Sequence, residues 1–295
     1  MKMLKEYITQ AEQEKVAIGH FNFATLDGLW AIFNAMKALS MEIEHPFGPD
    51  GIPVVVGVAE GERAFLGAHE VALIVRYMRE TYNYPIFLNA DHTYSVDLIK
   101  EAIDAGYDMV IYDGAQLSFD ENVRYTKEAI EYRNAKKSSC LVEGELGFIG
   151  VGSTIRDTLP EGVGPETMTK PEEAKRFVEM TGIDLLAPSI GNIHGMVKSG
   201  NPALDANRVF SLRPSAGVPL VLHGGSGSSD EDFKKVISAG ISLIHISTEL
   251  RVTYRTALEK SLKENDSVAP YKYLTPARDA MMGKVKERAK LFLGK

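Results

Sequence analysis

Short β-rich runs alternate with helical segments along the whole chain, and this alternation restricts the fold more than any other feature. The eight runs are VAIGHFN (16–22), IPVVVGV (52–58), PIFLNAD (85–91), MVIYD (109–113), SCLVEGE (139–145), DLLAPSI (184–190), VPLVLHG (218–224) and SLIHIS (242–247). Helical patterns between them cover 61–81, 95–105, 119–136, 170–181 and 229–239. Strands that alternate with helices form parallel sheets. Eight such units in 295 residues predict an α/β fold, a (β/α)8 TIM barrel in a single domain of residues 1–295, with a doubly wound open sheet as the alternative.

Three further segments do not follow the simple repeat. Residues 41–53 contain three prolines and two glycines and are expected to form an extended loop. Residues 147–170 form a glycine-rich loop after the fifth run, and loops of this length are commonly lids or binding loops. We expect a lid there. Residues 276–295 predict a basic amphipathic helix that packs on the barrel or on a neighbouring subunit.

Composition argues against several classes of protein. The formal net charge is −7, and no cluster of Lys and Arg is present to neutralise the phosphates of a nucleic acid. No apolar stretch approaches the roughly 20 residues that span a bilayer, and the first 15 residues are typical of a polar amphipathic helix rather than a signal peptide. A single cysteine, Cys140, cannot form an internal disulfide. We therefore expect a cytoplasmic protein that binds neither membranes nor nucleic acid.

Three histidines each close a short apolar run and stand beside glycine or aspartate: His92, His194 and His223. Parallel α/β folds place their chemistry at the carboxyl ends of the strands. Each histidine alone is more typical of a buried core or turn residue, but three at one rim of a barrel can converge. Three neutral imidazoles with an open fourth position suit catalytic zinc, with cobalt or manganese as substitutes.

Acidic residues end the same runs. Asp91 precedes His92 and is the candidate acid–base group, although a regular strand would turn the two side chains to opposite faces. Asp113 ends the fourth run, and Glu143 and Glu145 end the fifth with the same facing. The alternative is that these acids cap the helices that follow.

Glycine and hydroxyl residues after the last two runs favour an anion site. HGGSGSS follows the seventh run and precedes a helix, so its backbone N–H groups are placed to bind an anion. Ser247 and Thr248 follow the eighth run, and Lys198 adds a positive charge after the sixth. Phosphate sites in these barrels frequently use the loops after strands 7 and 8. The pattern predicts a phosphorylated substrate.

At these motifs the sequence resembles the class II, metal-dependent fructose-bisphosphate aldolase family. DHTYS, VEGELGFIG, GNIHG and VLHGGSGS carry the resemblance, which runs from GHFNFAT near the N-terminus to PAR near the C-terminus. The resemblance implies that His92, His194 and His223 bind zinc and that Asp113 and Glu145 offer an alternate or second metal position. It implies that Asp91 exchanges the C4 hydroxyl proton. The residues that it places around the substrate are Asn22, Gly195, Lys198, Gly224, Ser226 and Thr248. It also implies a monovalent cation, Na⁺ or K⁺, and a homodimer or homotetramer.

The implied activity is a lyase reaction of glycolysis and gluconeogenesis. A zinc-dependent aldolase reversibly cleaves a ketose 1,6-bisphosphate, first of all fructose 1,6-bisphosphate, into dihydroxyacetone phosphate and glyceraldehyde 3-phosphate. The alternatives are tagatose 1,6-bisphosphate or another phosphorylated ketose as substrate, or a non-catalytic relative that binds metal and phosphate. An amidohydrolase is disfavoured because the first strand has only His20 and no His-x-His pair.

Three positions depart from the pattern of the family. His245 stands where the eighth strand usually has asparagine, and we expect its imidazole to contact the substrate or to add a metal ligand. Ser153 and Thr154 stand where the lid usually has Glu-Asp, with Asp157 as the nearest acid. Ala269, Pro270 and Tyr271 replace Asp-Pro-Arg before the last helix, where Arg278 is a candidate stand-in. These departures concern the lid and the far half of the sugar, so they leave the identity of the ketose open.

Overall fold

The eight predicted runs form a closed parallel barrel in the computed structural model, which describes all residues 1–295. Its strands are β1 (Ile18–Asn22), β2 (Val54–Val58), β3 (Ile86–Thr93), β4 (Met109–Tyr112), β5 (Leu141–Leu146), β7 (Leu185–Pro188), β9 (Leu220–Leu222) and β10 (Ile241–Ile246). Two short strands, β6 (Ile155–Arg156) and β8 (Met196–Val197), pair with each other outside it. Neighbours in the barrel follow chain order, and β1 pairs with β10 to close the ring. The TIM barrel prediction is confirmed, and the open sheet is excluded.

Eleven α-helices connect and surround the strands. They are α1 (Leu4–Gln13), α2 (Leu26–Glu42), α3 (Glu60–Leu66), α4 (Ala68–Tyr82), α5 (Val96–Ala105), α6 (Phe119–Ala135), α7 (Pro171–Thr181), α8 (Ala206–Ala216), α9 (Asp230–Ala239), α10 (Thr248–Glu264) and α11 (Pro270–Phe292). The helix predicted over 61–81 is two helices, because Gly67 adopts φ +87° between them. The last helix begins at Pro270, where proline suits the first helical position, and the predicted start at Pro276 lies inside it.

Side-chain caps fix where several helices begin. Thr25 and Ser229 accept hydrogen bonds from the backbone N–H groups of Gly28 and Asp232. Ser118 and Glu121 cap the start of α6 reciprocally. These caps satisfy donors that a helix start leaves free. They set the lengths of the loops that lead from the barrel to the helices.

The barrel changes from apolar to polar toward the carboxyl ends of its strands. Valine, isoleucine and leucine dominate the buried strand residues, as in other barrels of this type. The buried polar residues of the same strands include His20, Asn89, Asp91, Glu143, Glu145 and His245. Burying such groups is costly unless they find partners, so this end of the barrel indicates a functional site.

The predicted loop over 147–170 has structure of its own. Strand β6 pairs with β8, which lies just after His194, and a short 3₁₀ turn covers Pro165–Thr167. The loop is therefore attached to the segment that carries one of the candidate metal ligands.

The C-terminal helix α11 packs against α2, α10 and β1. The backbone N–H of Ala17 donates to the carbonyl of Phe292 over 2.9 Å, which joins the end of α11 to the residue before β1. Among all the helices, none combines the length and the apolar character that a membrane crossing requires.

Candidate active site

The three histidines predicted to bind metal lie together at the carboxyl end of the barrel. His92 is at the end of β3, His223 directly follows β9, and His194 is in the segment between β7 and β8. The ring centroids of His92 lie 4.5 Å from His194 and 4.7 Å from His223, and the latter two are 6.5 Å apart. The spacing allows all three rings to face one small volume.

A local irregularity in β3 lets two consecutive residues face this volume. His92 has φ +36°, and the register between β3 and β4 shifts between Ala90 and Thr93. In a regular strand Asp91 and His92 would point to opposite faces. The irregularity instead leaves His92 Nε2 3.9 Å from Asp91 Oδ1. A positive φ is uncommon outside glycine and tends to occur at functional sites.

Carboxylates contact one nitrogen on each of two rings. His92 Nδ1 lies 2.9 Å from Asp113 Oδ2, and His223 Nε2 lies 2.7 Å from Glu143 Oε1. Burial alone would raise the pKa of Asp113, but the hydrogen bond with His92 lowers it, so this ionised carboxylate accepts from His92 Nδ1–H. Burial raises the pKa of Glu143 to about 8, so its contact with His223 Nε2 shares a proton between carboxyl group and ring. The opposite nitrogens, His92 Nε2 and His223 Nδ1, face each other over 3.0 Å. A metal that took the place of the proton on His92 Nε2 would find both nitrogens as ligands, and ligating histidines commonly contact a carboxylate through their other nitrogen in this way.

The surroundings of His92 are acidic enough to require a positive charge. Burial alone would lower the pKa of His92, but Asp91, Asp113 and Glu145 raise it to about 10. Glu145 Oε2 is buried without a hydrogen-bond partner, 3.6 Å from His92 Nδ1. Burial and Asp113 raise the pKa of Glu145 well above its ordinary value. A metal cation would satisfy both the unpartnered oxygen and the facing nitrogens, so these residues fit a divalent ion with nitrogen and oxygen ligands.

The other histidines of the cluster are neutral. Burial lowers the pKa of His223 to about 3 and that of His194 well below its ordinary value, and nearby His92 adds to both effects. Neutral imidazole is the form that binds metals. The electrostatic environment therefore keeps both rings in the state that a metal ligand needs.

A pocket opens beside the histidines and contains most of the predicted substrate residues. Its lining consists of Asn22, Ala59, Asp91, His92, Ser153, His194, Gly195, Gly224, Ser226, His245, Ser247, Thr248 and Arg251. Lys198 is absent from it, because its Nζ extends to Asp157 Oδ1 at 2.8 Å and its side chain is largely exposed. The structure thus separates Lys198 from the other residues predicted to bind phosphate.

The loop after β9 is held close to the backbone around it. Gly224 has φ +60°, and a Cβ there would lie 2.3 Å from the carbonyl oxygen of Ile193. Ser226 Oγ accepts from the N–H groups of Ser247 and Glu249, at 3.3 and 3.1 Å. Ser247 Oγ is buried without a partner. A free hydroxyl near the start of α10 suits an anionic group at this end of the pocket.

Sequence reasoning missed a chain of polar contacts on the opposite side of the pocket. Asn22 Nδ2 donates to Asp91 Oδ2 at 2.8 Å and lies 3.2 Å from Glu62 Oε2. Glu62 in turn pairs with Arg251 over 2.5 Å and accepts from the N–H of Ala59. Arg251 follows Thr248 by one helical turn, and this spacing is the signal in the sequence that would have placed it at the pocket.

His245 lies between two other imidazoles. Its ring stacks on His20 with centroids 3.5 Å apart and planes inclined by 4°, and on His223 at 4.0 Å and 28°. Its Nδ1 is 3.3 Å from Asp91 Oδ1. Burial and nearby His223 lower the pKa of His245 to about 4, so the ring is neutral. The predicted contact of His245 with the site is therefore, first of all, a contact with Asp91.

Comparisons with known proteins agree along the whole chain. The family model described as fructose-bisphosphate aldolase class-II matches residues 2–295. A fructose-bisphosphate aldolase from Geobacillus stearothermophilus is 35% identical over 292 residues, covering 96% of this chain and 95% of that protein. One from Staphylococcus aureus is 34% identical over 293 residues, covering 98% and 96%. The crystal structure of the YdjI aldolase from Escherichia coli K12 superposes with a TM-score of 0.80 at 30% identity, covering 98% and 96%.

Proposed function

Because the chain belongs to the class II fructose-bisphosphate aldolase family and is therefore a lyase, we propose that it is a zinc-dependent aldolase whose first substrate is fructose 1,6-bisphosphate. The products would be dihydroxyacetone phosphate and glyceraldehyde 3-phosphate. The observation that carries the proposal is the close approach of His92 Nε2 and His223 Nδ1, enclosed by carboxylates beside Asp91. This is a cation site next to an acid–base group.

The metal would be held by His92, His194 and His223, with Glu145 as an alternate ligand and Asp113 orienting His92. Zinc, or cobalt or manganese in its place, would supply Lewis-acid stabilisation of the negative charge that cleavage leaves on the ketose fragment. No Schiff-base lysine is then needed.

Asp91 is the group proposed to take the C4 hydroxyl proton as the C3–C4 bond breaks and to return it in condensation. Burial alone would raise the pKa of Asp91, but His92 and His245 hold it well below its ordinary value. The ionised carboxylate is thus a proton acceptor at neutral pH. Asn22 holds one of its oxygens at 2.8 Å, which restricts the direction from which a hydroxyl can approach.

The phosphate of the dihydroxyacetone half is proposed to bind between the loop after β9 and the start of α10. Gly195, Gly224, Ser226, Ser247 and Thr248 line this part of the pocket. Contacts at the phosphate hold the reacting carbons in place, so they contribute to rate as well as to affinity. A monovalent cation, Na⁺ or K⁺, belongs to the same proposal.

Few residues of the pocket are placed to select the far half of the sugar. Tagatose 1,6-bisphosphate or another phosphorylated ketose is therefore the second candidate substrate. Tyr271 is largely exposed, and Arg278 pairs with Asp279 instead of lining the pocket. Ser153 lines the pocket where the family usually has a lid carboxylate. Arg251 is the one arginine or lysine of the lining, and it already pairs with Glu62.

We also propose that the chain is a single domain that works in the cytoplasm as a homodimer or homotetramer. Phe65, Leu73 and Tyr77 form exposed apolar positions on α3 and α4 and support self-association. The single, buried Cys140 is in keeping with a reducing compartment. Light scattering coupled to gel filtration measures the assembly, and a monomer would contradict this part of the proposal.

The decisive test is an assay of the zinc-loaded protein with fructose and tagatose 1,6-bisphosphates, with triose phosphate release coupled to NADH oxidation. We expect cleavage that a chelator abolishes and added zinc restores. Asp91→Ala should lower kcat by roughly 10²- to 10⁴-fold, the contribution of a positioned acid–base group. Zinc content of the variant is the control. Zinc-bound protein that cleaves neither sugar would overturn the assignment of substrate and point to another phosphorylated ketose or to a non-catalytic relative.

A further inference from the structure

We propose that His245 is a positioning residue for Asp91: its Nδ1–H donates to Asp91 Oδ1 and holds the carboxylate in the orientation that exchanges a proton with the substrate. The inference rests on the proposed aldolase function, in which Asp91 is the acid–base group. The two atoms lie 3.3 Å apart and are not aligned as a hydrogen bond in the ligand-free site. Catalytic hydrogen bonds are often long in the ligand-free protein and shorten when substrate binds.

Buried polar atoms at this contact have no other partner. Both ring nitrogens of His245 and Oδ1 of Asp91 are buried without a hydrogen bond, whereas Asp91 Oδ2 accepts from Asn22 Nδ2. A carboxylate oxygen can only accept, so the proton between the two groups belongs on His245 Nδ1. Asn22 and His245 then hold the two oxygens of Asp91 from different sides, and the carboxylate cannot rotate without losing one of them.

The stack of rings prevents His245 from turning away. Strands β1 and β10 place His20 directly opposite His245 in register, and the parallel rings lie 3.5 Å apart. His223 covers the other face at 4.0 Å. Gly57 leaves room for this arrangement, because a Cβ there would lie 2.1 Å from His20 Cε1. A ring enclosed on both faces can move only within its own plane.

The same stack argues against His245 as a further metal ligand. The lone pairs of an imidazole lie in the plane of the ring, and the planes of His245 and His223 are inclined by only 28°. Nitrogens in nearly parallel planes that face each other do not direct their lone pairs at one ion. The geometry therefore connects His245 to the metal cluster through packing and to Asp91 through its nitrogen.

Two substitutions of similar size separate positioning from packing. In His245→Asn the amide nitrogen occupies nearly the same place as Nδ1 and keeps the donor, whereas His245→Leu keeps bulk and removes it. We expect His245→Leu to lower kcat for ketose bisphosphate cleavage by about 10- to 100-fold with KM unchanged, a part of the roughly 10²- to 10⁴-fold that acid–base catalysis contributes. His245→Asn should stay close to wild type. If His245→Leu does not fold, His245→Gln replaces it, because its amide lies one carbon too far along the side chain.

A second readout, proton exchange at C3, does not involve the C4 hydroxyl on which Asp91 is proposed to act. Exchange of a C3 proton of dihydroxyacetone phosphate with solvent involves no C4 hydroxyl, so it should be unchanged in His245→Leu, as should zinc content.

In an Asp91→Asn background, His245→Leu should cause no further loss of cleavage activity, because the effects of residues that act as one unit are not additive. Only a residue that acts through Asp91 gives this combination.

Several results would contradict the inference while leaving the aldolase assignment intact. These are full activity in His245→Leu, equal losses in the Leu and Asn variants, loss of zinc or of proton exchange together with cleavage, or an additive loss in the Asp91→Asn background. Failure of the wild-type protein itself to cleave any ketose bisphosphate would instead overturn the proposed function.

Discussion

At the scale of single residues, the candidate site is a set of imidazoles oriented by buried carboxylates. Asp113 and Glu143 each contact one nitrogen of a ring, so the opposite nitrogen of that ring faces the place of the proposed cation. The carboxylates belong to the proposed metal site as much as the histidines do, because they orient the rings. Removing one of them should weaken metal binding without removing a ligand.

Asp113→Asn tests this arrangement. Burial alone would raise the pKa of Asp113, but the hydrogen bond from His92 lowers it, so the variant replaces an ionised acceptor with a neutral amide. We expect zinc affinity to fall by about 10- to 100-fold, as for other outer partners of ligating histidines. Competition with a fluorescent chelator measures it. Asp97→Asn, at an almost fully exposed side chain on α5, is the control, and equal affinities in the two variants would contradict the role of Asp113.

The residue types of the site, but not all of their directions, can be predicted from the sequence. Polar residues at strand ends of a parallel barrel must lie at one rim, which is enough to bring His92, His194 and His223 together. The side-by-side placement of Asp91 and His92 depends on one positive φ, and strand periodicity predicts the opposite. Lys198 was expected near phosphate, but the side chain of Asp157 binds it in an exposed position.

At the scale of elements, the loops after β7 and β9 approach each other so closely at Gly224 that this position has no room for a side chain. Gly224 combines φ +60° with direct contact to the carbonyl of Ile193, so its hydrogen atom occupies a place that no methyl group could. The segment between β5 and α7 shows a similar dependence on its neighbours. Its two-residue strand β6 has no periodicity of its own to predict, and it forms because β8 offers a partner.

Gly224→Ala is expected to damage both stability and substrate binding. The strained φ alone costs about 1–3 kcal/mol, and moving the loop away from Ile193 should raise KM for the sugar phosphate. Gly283→Ala on α11 is the matched control, since no atom lies within 4 Å of the added Cβ and alanine favours a helix there. Urea unfolding and steady-state kinetics provide the measurements. A Gly224 variant that equals the control in both would show that the loop can rearrange freely.

At the scale of the whole molecule, a buried ion pair connects the C-terminal helix to the proposed phosphate loop. Arg288 Nε and Nη2 donate to the two carboxylate oxygens of Glu249 at 2.7 and 2.9 Å, and Nη1 reaches Asp230 at 2.8 Å. The same Glu249 accepts from the N–H of Gly227 at 2.7 Å. Helix α11 therefore holds the loop after β9 from outside the barrel.

Arg288→Met should show how strongly the molecule depends on this contact. Removing one partner of a buried pair leaves the charge of Glu249 uncompensated, at a cost of about 3–5 kcal/mol. Arg255→Met, at an exposed position that pairs with Glu259, should leave the free energy of unfolding almost unchanged, because water screens this pair. Urea denaturation compares the two. Similar free energies of unfolding would mean that water or another cation replaces Arg288.

The barrel itself was predictable because each strand and each helix is specified by its own residues. Contacts between distant segments could not be predicted, since no local pattern in the sequence indicates that Arg288 contacts Glu249 or that Phe292 contacts Ala17. The predicted start of the last helix was also wrong. Pro276 reads as a helix start, yet it lies inside α11, whose first residue is Pro270.

The contact between Ala17 and Phe292 gives the protein a definite order of events during its synthesis. A nascent chain leaves the ribosome from its N-terminus, so Ala17, the residue before β1, emerges long before its partner Phe292. Arg288, which holds the loop after β9 through Glu249, likewise emerges after every strand of the barrel. The loop after β9 therefore receives its contact from α11 only after all eight barrel strands have been synthesised.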